Sequence, residues 1–227
     1  MKEWTPFFRS RPWRHAMQAR HVYALPESTD HELLALAAAC RSAMSSYPID
    51  PQPDDLLHIT IAMDSSMPSD QMSQQDTEDF VSALEQRLVD IPAFTVTCGP
   101  PIANGAGVLL DAFPSEEFDE LQARVHKTLL DARGPSSVQY EPGRPHASLG
   151  YSFDSADSDP LQSALRKIMP RHAPWTVSRV HVLDVAYHRV EAGSSQMAWR
   201  MSWESVAEVP LLPMQRGDVA PASAEST

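Results

Sequence analysis

The chain has 227 residues, 42% of them hydrophobic, and its 18 basic and 30 acidic side chains give a formal charge of −12. That length and apolar content suit one large domain or two small lobes around a sizeable core, while the acidic balance argues against long nucleic-acid duplexes, whose non-specific affinity comes from Lys and Arg neutralising phosphates. Cys40 and Cys98 alone make neither a disulfide framework nor a cysteine-based zinc site, and no stretch has the ~18 apolar residues of a membrane span or a signal-peptide core, so a monomeric cytoplasmic protein is expected.

Residues 1–14 read as an arm: Pro6 and Pro12 oppose regular structure, and Trp4, Phe7, Phe8 and Trp13 alternate with basic residues. Aromatics usually find a core, so the arm reads first as a strap on the body and second as a nucleic-acid grip. A strand is expected over 20–25, then a helix capped by Thr29 or Asp30 and running to about Ser46. A proline-rich loop leads into a buried strand over 56–63. A helix over 77–90 follows, then strands over 94–98 and 108–112, joined through Pro100, Pro101 and Gly105. Ser115 is placed to cap a third helix to Arg133, with Phe118, Leu121, Val125 and Leu129 as its buried stripe and Gly134 as its end. A strand over 145–153, a short helix opened by Pro160, and a hairpin of 175–188 with 197–206 around Ala192-Gly193-Ser194 complete the body. Residues 207–227, rich in Pro, Ala and Ser, read as a disordered tail.

Two parts of the chain match when shifted by 88 residues. Ala24-Leu25-Pro26 falls on Ala112-Phe113-Pro114, Leu33 on Leu121, Ala37 on Val125, and His58-Ile59-Thr60-Ile61 on His146-Ala147-Ser148-Leu149. Each copy is a strand, a proline-marked turn, an amphipathic helix, a loop, and a strand carrying His and a hydroxyl. Duplication accounts for this agreement of element order with His spacing, and two related lobes facing each other would put two equivalent strands on one cleft.

The shared pattern is His, apolar, Thr or Ser, apolar. Composition predicts roughly 0.24 chance matches; the chain has two. On a strand, residues i and i+2 point the same way, so His58 shares a face with Thr60, and His146 with Ser148, while Ile59, Ile61, Ala147 and Leu149 turn to the packed side. His126-Lys127-Thr128-Leu129 is a decoy, because on a helix i and i+2 diverge by about 200°. Cleaving a phosphate ester needs a base for the nucleophile and an acid for the leaving oxygen; imidazole, with an ordinary pKa near ~6.5, can be either. Hydroxyls of Thr60 and Ser148 could stabilise the charge that builds on the non-bridging oxygens. Such a site needs no metal and no cofactor.

These two motifs resemble the signatures of the 2H phosphoesterase superfamily, which includes the 2′-5′ RNA ligase-like proteins and cyclic nucleotide phosphodiesterases. Over about residues 15–206 the resemblance implies a bilobal α+β fold, two pseudo-symmetric lobes with antiparallel sheets lining a central cleft and helices outside. It also implies cleavage of 2′,3′-cyclic phosphates or related nucleotide esters by His58 and His146 as acid and base, with Thr60 and Ser148 holding the phosphate. The expected ligand is a small nucleotide cyclic phosphate or a short RNA end. Many ligase-like members carry Arg or Lys soon after a motif; Met63 and Tyr151 stand there in this chain.

Other candidates are weaker. Arg144 could clamp a phosphate, and Tyr23 and Tyr151 could stack a base, against the alternatives of surface charge and wall packing. His146-Ala147-Ser148-Leu149-Gly150 lacks the first glycine of a serine-hydrolase elbow and continues as strand. On a strand His181 faces away from Asp184 and His188, so these do not converge on a metal; His15, His21 and His31 lack ligand spacing. Two further possibilities stay open: a nucleotide- or RNA-end-binding module without turnover, and joining of RNA ends through 2′-5′ bonds.

Overall fold

A computed structural model describes residues 18–140, 143–192 and 196–214. The arm expected at 1–14, the hairpin turn expected at Gly193-Ser194, and the part of the expected tail after residue 214 lie outside the described residues.

Local chemistry sets most of the elements. β1 (Gln18–Ala24) ends at Pro26. Asp30 precedes α1 (His31–Met44) but does not cap it; its carboxylate accepts from the Glu27 amide at 2.7 Å, closing the turn between strand and helix. β2 (Ile49–Pro51) and a 3₁₀ turn (Asp54–Leu56) lead to β3 (Ile59–Met63). α2 (Gln74–Leu88) starts earlier than its apolar pattern indicates, because Ser73 and Asp76 form a capping box that satisfies two orphan amides. β4 (Phe94–Asn104) runs on through Pro100 and Pro101, which sit where its pairing with β5 (Gly107–Phe113) slips register. α3 (Glu116–Arg133) buries Phe118, Leu121, Val125 and Leu129 as expected and stops at Gly134, φ 78°, but Ser115 ahead of it is in helical backbone geometry and makes no side-chain capping bond. β6 (His146–Ser152), α4 (Asp159–Leu165), β7 (Ala173–Val177), β8 (Arg179–Ala192) and β9 (Gln196–Pro210) follow.

Two expectations are corrected. The strand expected over 175–188 is two strands: the chain breaks at Ser178, so that β7 pairs with β4 and β8 with β1, in opposite halves of the sheet. Residues 207–210, expected in the tail, are strand, since β9 continues to Pro210. Val209 and Leu211 are buried in the main core, and the backbone of Leu212 pairs with Pro92.

The fold is α+β. Its antiparallel strands form one curled sheet in the order β7-β4-β5-β6-β3-β1-β8-β9, with β2 beside β6. The two halves meet at the pair Ile59–Ala147. These residues are 88 apart, so the approximate twofold axis relating the lobes passes through that pair. The lobes are interleaved: β4, which follows the first copy, pairs with β5 of the second, and β8 returns to pair with β1 of the first. The helices exchange too, α1 and α4 packing on β4, β6 and β7, and α2 and α3 on β3 and β9. They cover the outer face of the sheet, where the main core lies. A smaller cluster of Tyr23, Leu183, Val185, Tyr187 and Met201 occupies the inner face. No described helix is long and apolar enough to cross a membrane.

Candidate active site

The inner face of the sheet bounds a cleft of about 400 Å³. His58, Thr60, His146 and Ser148 all line it, together with Tyr23 and Tyr151. Ile59, Ile61, Ala147 and Leu149 are fully buried on the opposite side, as strand alternation requires. The pattern His-x-hydroxyl-x thus appears twice across one groove, on strands that are immediate neighbours in the sheet.

The two imidazoles are held by the same device. His58 stands just before β3, and its Nδ1 lies 2.8 Å from the carbonyl oxygen of Leu56; Nδ1 of His146 lies 2.8 Å from that of Arg144. A carbonyl can only accept, so Nδ1 carries the hydrogen in both rings and Nε2 is the nitrogen left for proton transfer. The carbonyl comes from residue i−2 in each case, a second consequence of the duplication.

The surroundings of the two rings differ. Tyr23 stacks on His58 with centroids 4.1 Å apart and planes 13° apart, and Trp203 meets the same imidazole edge-on at 5.6 Å. Tyr23 is itself buttressed by His21 at 4.9 Å and hydrogen-bonded to the Tyr187 hydroxyl. Burial among these rings, aided by the charge of nearby His146 and opposed by the Leu56 carbonyl, lowers the His58 pKa to about 4. His58 is therefore neutral near neutrality, with a free lone pair on Nε2. Burial also lowers His21 to about 3 and raises Tyr151 to about 12; the Tyr151 hydroxyl is hydrogen-bonded to Ser148.

Bulges complete the cleft. The pairing of β1 with β3 slips between Val22 and Tyr23, leaving Ile61 as an extra residue on β3. That of β5 with β6 slips between Val108 and Leu109, leaving Leu149 extra on β6. Ile61 and Leu149 are 88 apart. Each bulge reverses the alternation, so Met63 and Tyr151, five residues beyond their histidines, turn into the cleft instead of the core. Simple alternation would have assigned both to the packed face. Close approach of β5 to β6 also needs Gly107: its φ is 151°, and a Cβ there would lie 2.0 Å from the Gly150 carbonyl oxygen.

Arg144 does not join the group. Its side chain is exposed and is not part of the cleft lining; its carbonyl is what serves the site, holding Nδ1 of His146. His126 lies on α3, with Thr128 bonded to the Arg124 carbonyl at 2.9 Å. Asp184 is engaged by Arg20 at 2.9 and 3.0 Å, and His188 by Ser202 at 2.7 Å. Among the described residues no group of three His, Cys, Asp or Glu is placed to hold a metal. Tyr187, Met201 and Trp203 were not identified from the sequence; they come from β8 and β9, more than a hundred residues from His58, with no local motif to mark them.

Comparison with known proteins agrees with this architecture. The family model described as the 2′-5′ RNA ligase superfamily matches residues 57–188. No curated protein sequence matches. Among solved structures, TT0787 of Thermus thermophilus superposes with a TM-score of 0.56 at 14% identity, over 87% of this chain and 100% of that one. E. coli LigT in apo form gives 0.54 at 12%, over 86% and 98%. The MHV ns2 PDE domain gives 0.51 at 12%, over 83% and 99%. At such identity these likenesses speak to the fold.

Proposed function

Because the chain belongs to the 2′-5′ RNA ligase superfamily, we propose that it is a phosphodiesterase that opens 2′,3′-cyclic phosphates, or related small nucleotide esters, by paired histidine acid–base catalysis. The observation that carries this reading is the pair of imidazoles, each anchored through Nδ1 to a backbone carbonyl and each beside its own hydroxyl, on one cleft. E. coli LigT has been crystallised with 3′-AMP, with ATP and with NADP+, which fits a nucleotide as the kind of ligand.

The phosphorus of the ester sits between the rings. His58, neutral in the free protein, takes a proton from water through Nε2 as the water oxygen bonds to phosphorus. His146, the more exposed ring, carries a second proton on Nε2 and gives it to the departing ribose oxygen as that oxygen's bond to phosphorus breaks. The product is a phosphate monoester and a free hydroxyl; His58 is left protonated and His146 deprotonated, and solvent exchange through the cleft resets both. Thr60 and Ser148 donate to the non-bridging oxygens, where charge grows in the transition state.

The test is turnover of nucleoside 2′,3′-cyclic phosphates by the full chain and by His58→Ala and His146→Ala. Each variant should lose at least about 10²-fold in kcat with an unchanged circular dichroism spectrum. Full activity of either would overturn the paired mechanism. Binding without turnover at high protein concentration would favour a recognition module, and joining of RNA halves would favour the reverse reaction.

A further inference from the structure

The charge around the cleft narrows the substrate, an inference that rests on the reading of the cleft as a phosphodiester site. Apart from the histidines, one charged side chain is present among the described lining residues, and it is an acid, Asp64. No Lys or Arg is among them. Arg144 is exposed and outside the lining, and two other arginines near the cleft, Arg133 and Arg20, are committed elsewhere. Arg133 is 3.5 Å from Asp64 and 3.3 Å from Asp76, and its Nη2 donates to the Asp76 carbonyl at 3.1 Å. Arg20, on the packed side of β1, is bound to Asp184 and to Thr77. The positions that the two bulges turn into the cleft, Met63 and Tyr151, flank the motif hydroxyls on either side of the approximate axis, and neither carries charge. Met67, Met201, Tyr140 and Tyr187 extend the same uncharged wall.

One phosphate can be held here by Thr60, Ser148 and the histidines. A second phosphate would lie against methionine, tyrosine or Asp64, giving up its hydration for no counter-charge. The volume agrees: about 400 Å³ is at the small end for ligand sites, the scale of one nucleotide and not of a chain. The net charge of −12 adds long-range repulsion that grows with each phosphate. We infer that the substrate is a phosphodiester with a single negative charge and one aromatic or apolar substituent, on the scale of a nucleoside cyclic monophosphate, and that phosphates beyond the reacting one are selected against, whether in a polyphosphate or an RNA strand.

The experiment compares kcat/KM of the full chain for adenosine 2′,3′-cyclic phosphate, for a trinucleotide ending in 2′,3′-cyclic phosphate, and for ADP-ribose 1″,2″-cyclic phosphate, at about 20 and 200 mM salt. Alongside it, the affinities of 3′-AMP and of ATP are measured by calorimetry. The mononucleotide should be favoured by at least about tenfold. Salt should leave its rate nearly unchanged and raise that of the trinucleotide, because screening removes a repulsion. Met63→Arg should narrow the preference by roughly fivefold, the scale of one partly exposed ion pair. Equal or better turnover of the trinucleotide or the ADP-ribose ester, or a rate for them that falls as salt rises, would overturn the inference whether or not Met63→Arg folds. If no ester is hydrolysed but 3′-AMP still binds at least tenfold tighter than ATP, the hydrolytic reading fails and the selectivity stands. If ATP binds as well as 3′-AMP, or neither binds, the selectivity fails.

Discussion

Tyr23 is the residue that most distinguishes one half of the site from the other. His58 sits just outside the β3 ladder, so its ring direction is set by side-chain contacts: the Nδ1 bond to Leu56 and the face of Tyr23 at 4.1 Å. An aromatic contact of this kind stabilises by about 0.5–1.5 kcal/mol, which corresponds to a rate change of up to roughly tenfold if it is spent on orientation. Tyr23→Phe keeps the stack and should retain kcat within about threefold. Tyr23→Leu should lower kcat by about tenfold while KM moves little, as steady-state kinetics on a cyclic nucleotide would show; equal losses in both variants would mean that the hydroxyl bond to Tyr187 matters and the stack does not. Thr60→Ala and Ser148→Ala should each cost about 10- to 10²-fold in kcat by removing a donor to the anion. At this scale the sequence was informative, because strand alternation alone put His58, Thr60, His146 and Ser148 on one side and Ile59, Ile61, Ala147 and Leu149 on the other. It could not supply Trp203 or Tyr187, since which distant strand faces His58 is a matter of topology.

Elements were readable where a local pattern decides them. The apolar stripe of α3 and its glycine stop marked the body and the end of that helix, although Ser115, expected as its cap, makes no capping bond; the polar start of α2, by contrast, is set by the Ser73–Asp76 capping box before any stripe begins. The bulges at Ile61 and Leu149 leave no comparable mark, because an extra residue in a strand changes the alternation without changing composition. The same holds for the break at Ser178, which sends two β-rich segments to opposite halves of the sheet. Gly107 makes the bulge in the second half sterically possible. With φ at 151° and 2.0 Å between an added Cβ and the Gly150 carbonyl, Gly107→Ala must displace backbone. Strain of this order costs about 1–3 kcal/mol. The expected result is a melting temperature lower by about 2–10 °C for a chain of this size, with kcat reduced as well since β6 carries His146. An alanine variant that melts with the parent protein would show that β5 can move away from β6 at no cost.

At the scale of the whole molecule, duplication was visible in the 88-residue echo, but the exchange of β4, β8 and the helices between lobes was not, because pairing partners are chosen by the closing of the sheet and not by neighbours in sequence. The exchange has a consequence for stability. The inner wall of the cleft draws on β1, β3, β8 and β9, so neither lobe can unfold while the other keeps that wall intact, and charges forced onto it bear on the global transition. His21 and His58 are both buried there, with pKa values lowered to about 3 and about 4. In the unfolded chain each takes up a proton below about pH 6.5, whereas in the fold each stays neutral until the lower value. The unfolded state therefore binds more protons, and stability rises with pH across this window. It is fully present above about pH 6.5, falls as the pH drops toward 4, where the His58 contribution is exhausted, and goes on falling toward 3 on account of His21. Each group adds a slope of roughly 1.4 kcal/mol per pH unit at most while its unfolded form is protonated and its folded form is not. Urea titrations between pH 7 and 4 should show the midpoint falling steeply, and His21→Gln should flatten the slope by about half. An unchanged slope in that variant would mean that His21 accepts a proton within the fold, and the acid sensitivity would then have to come from elsewhere.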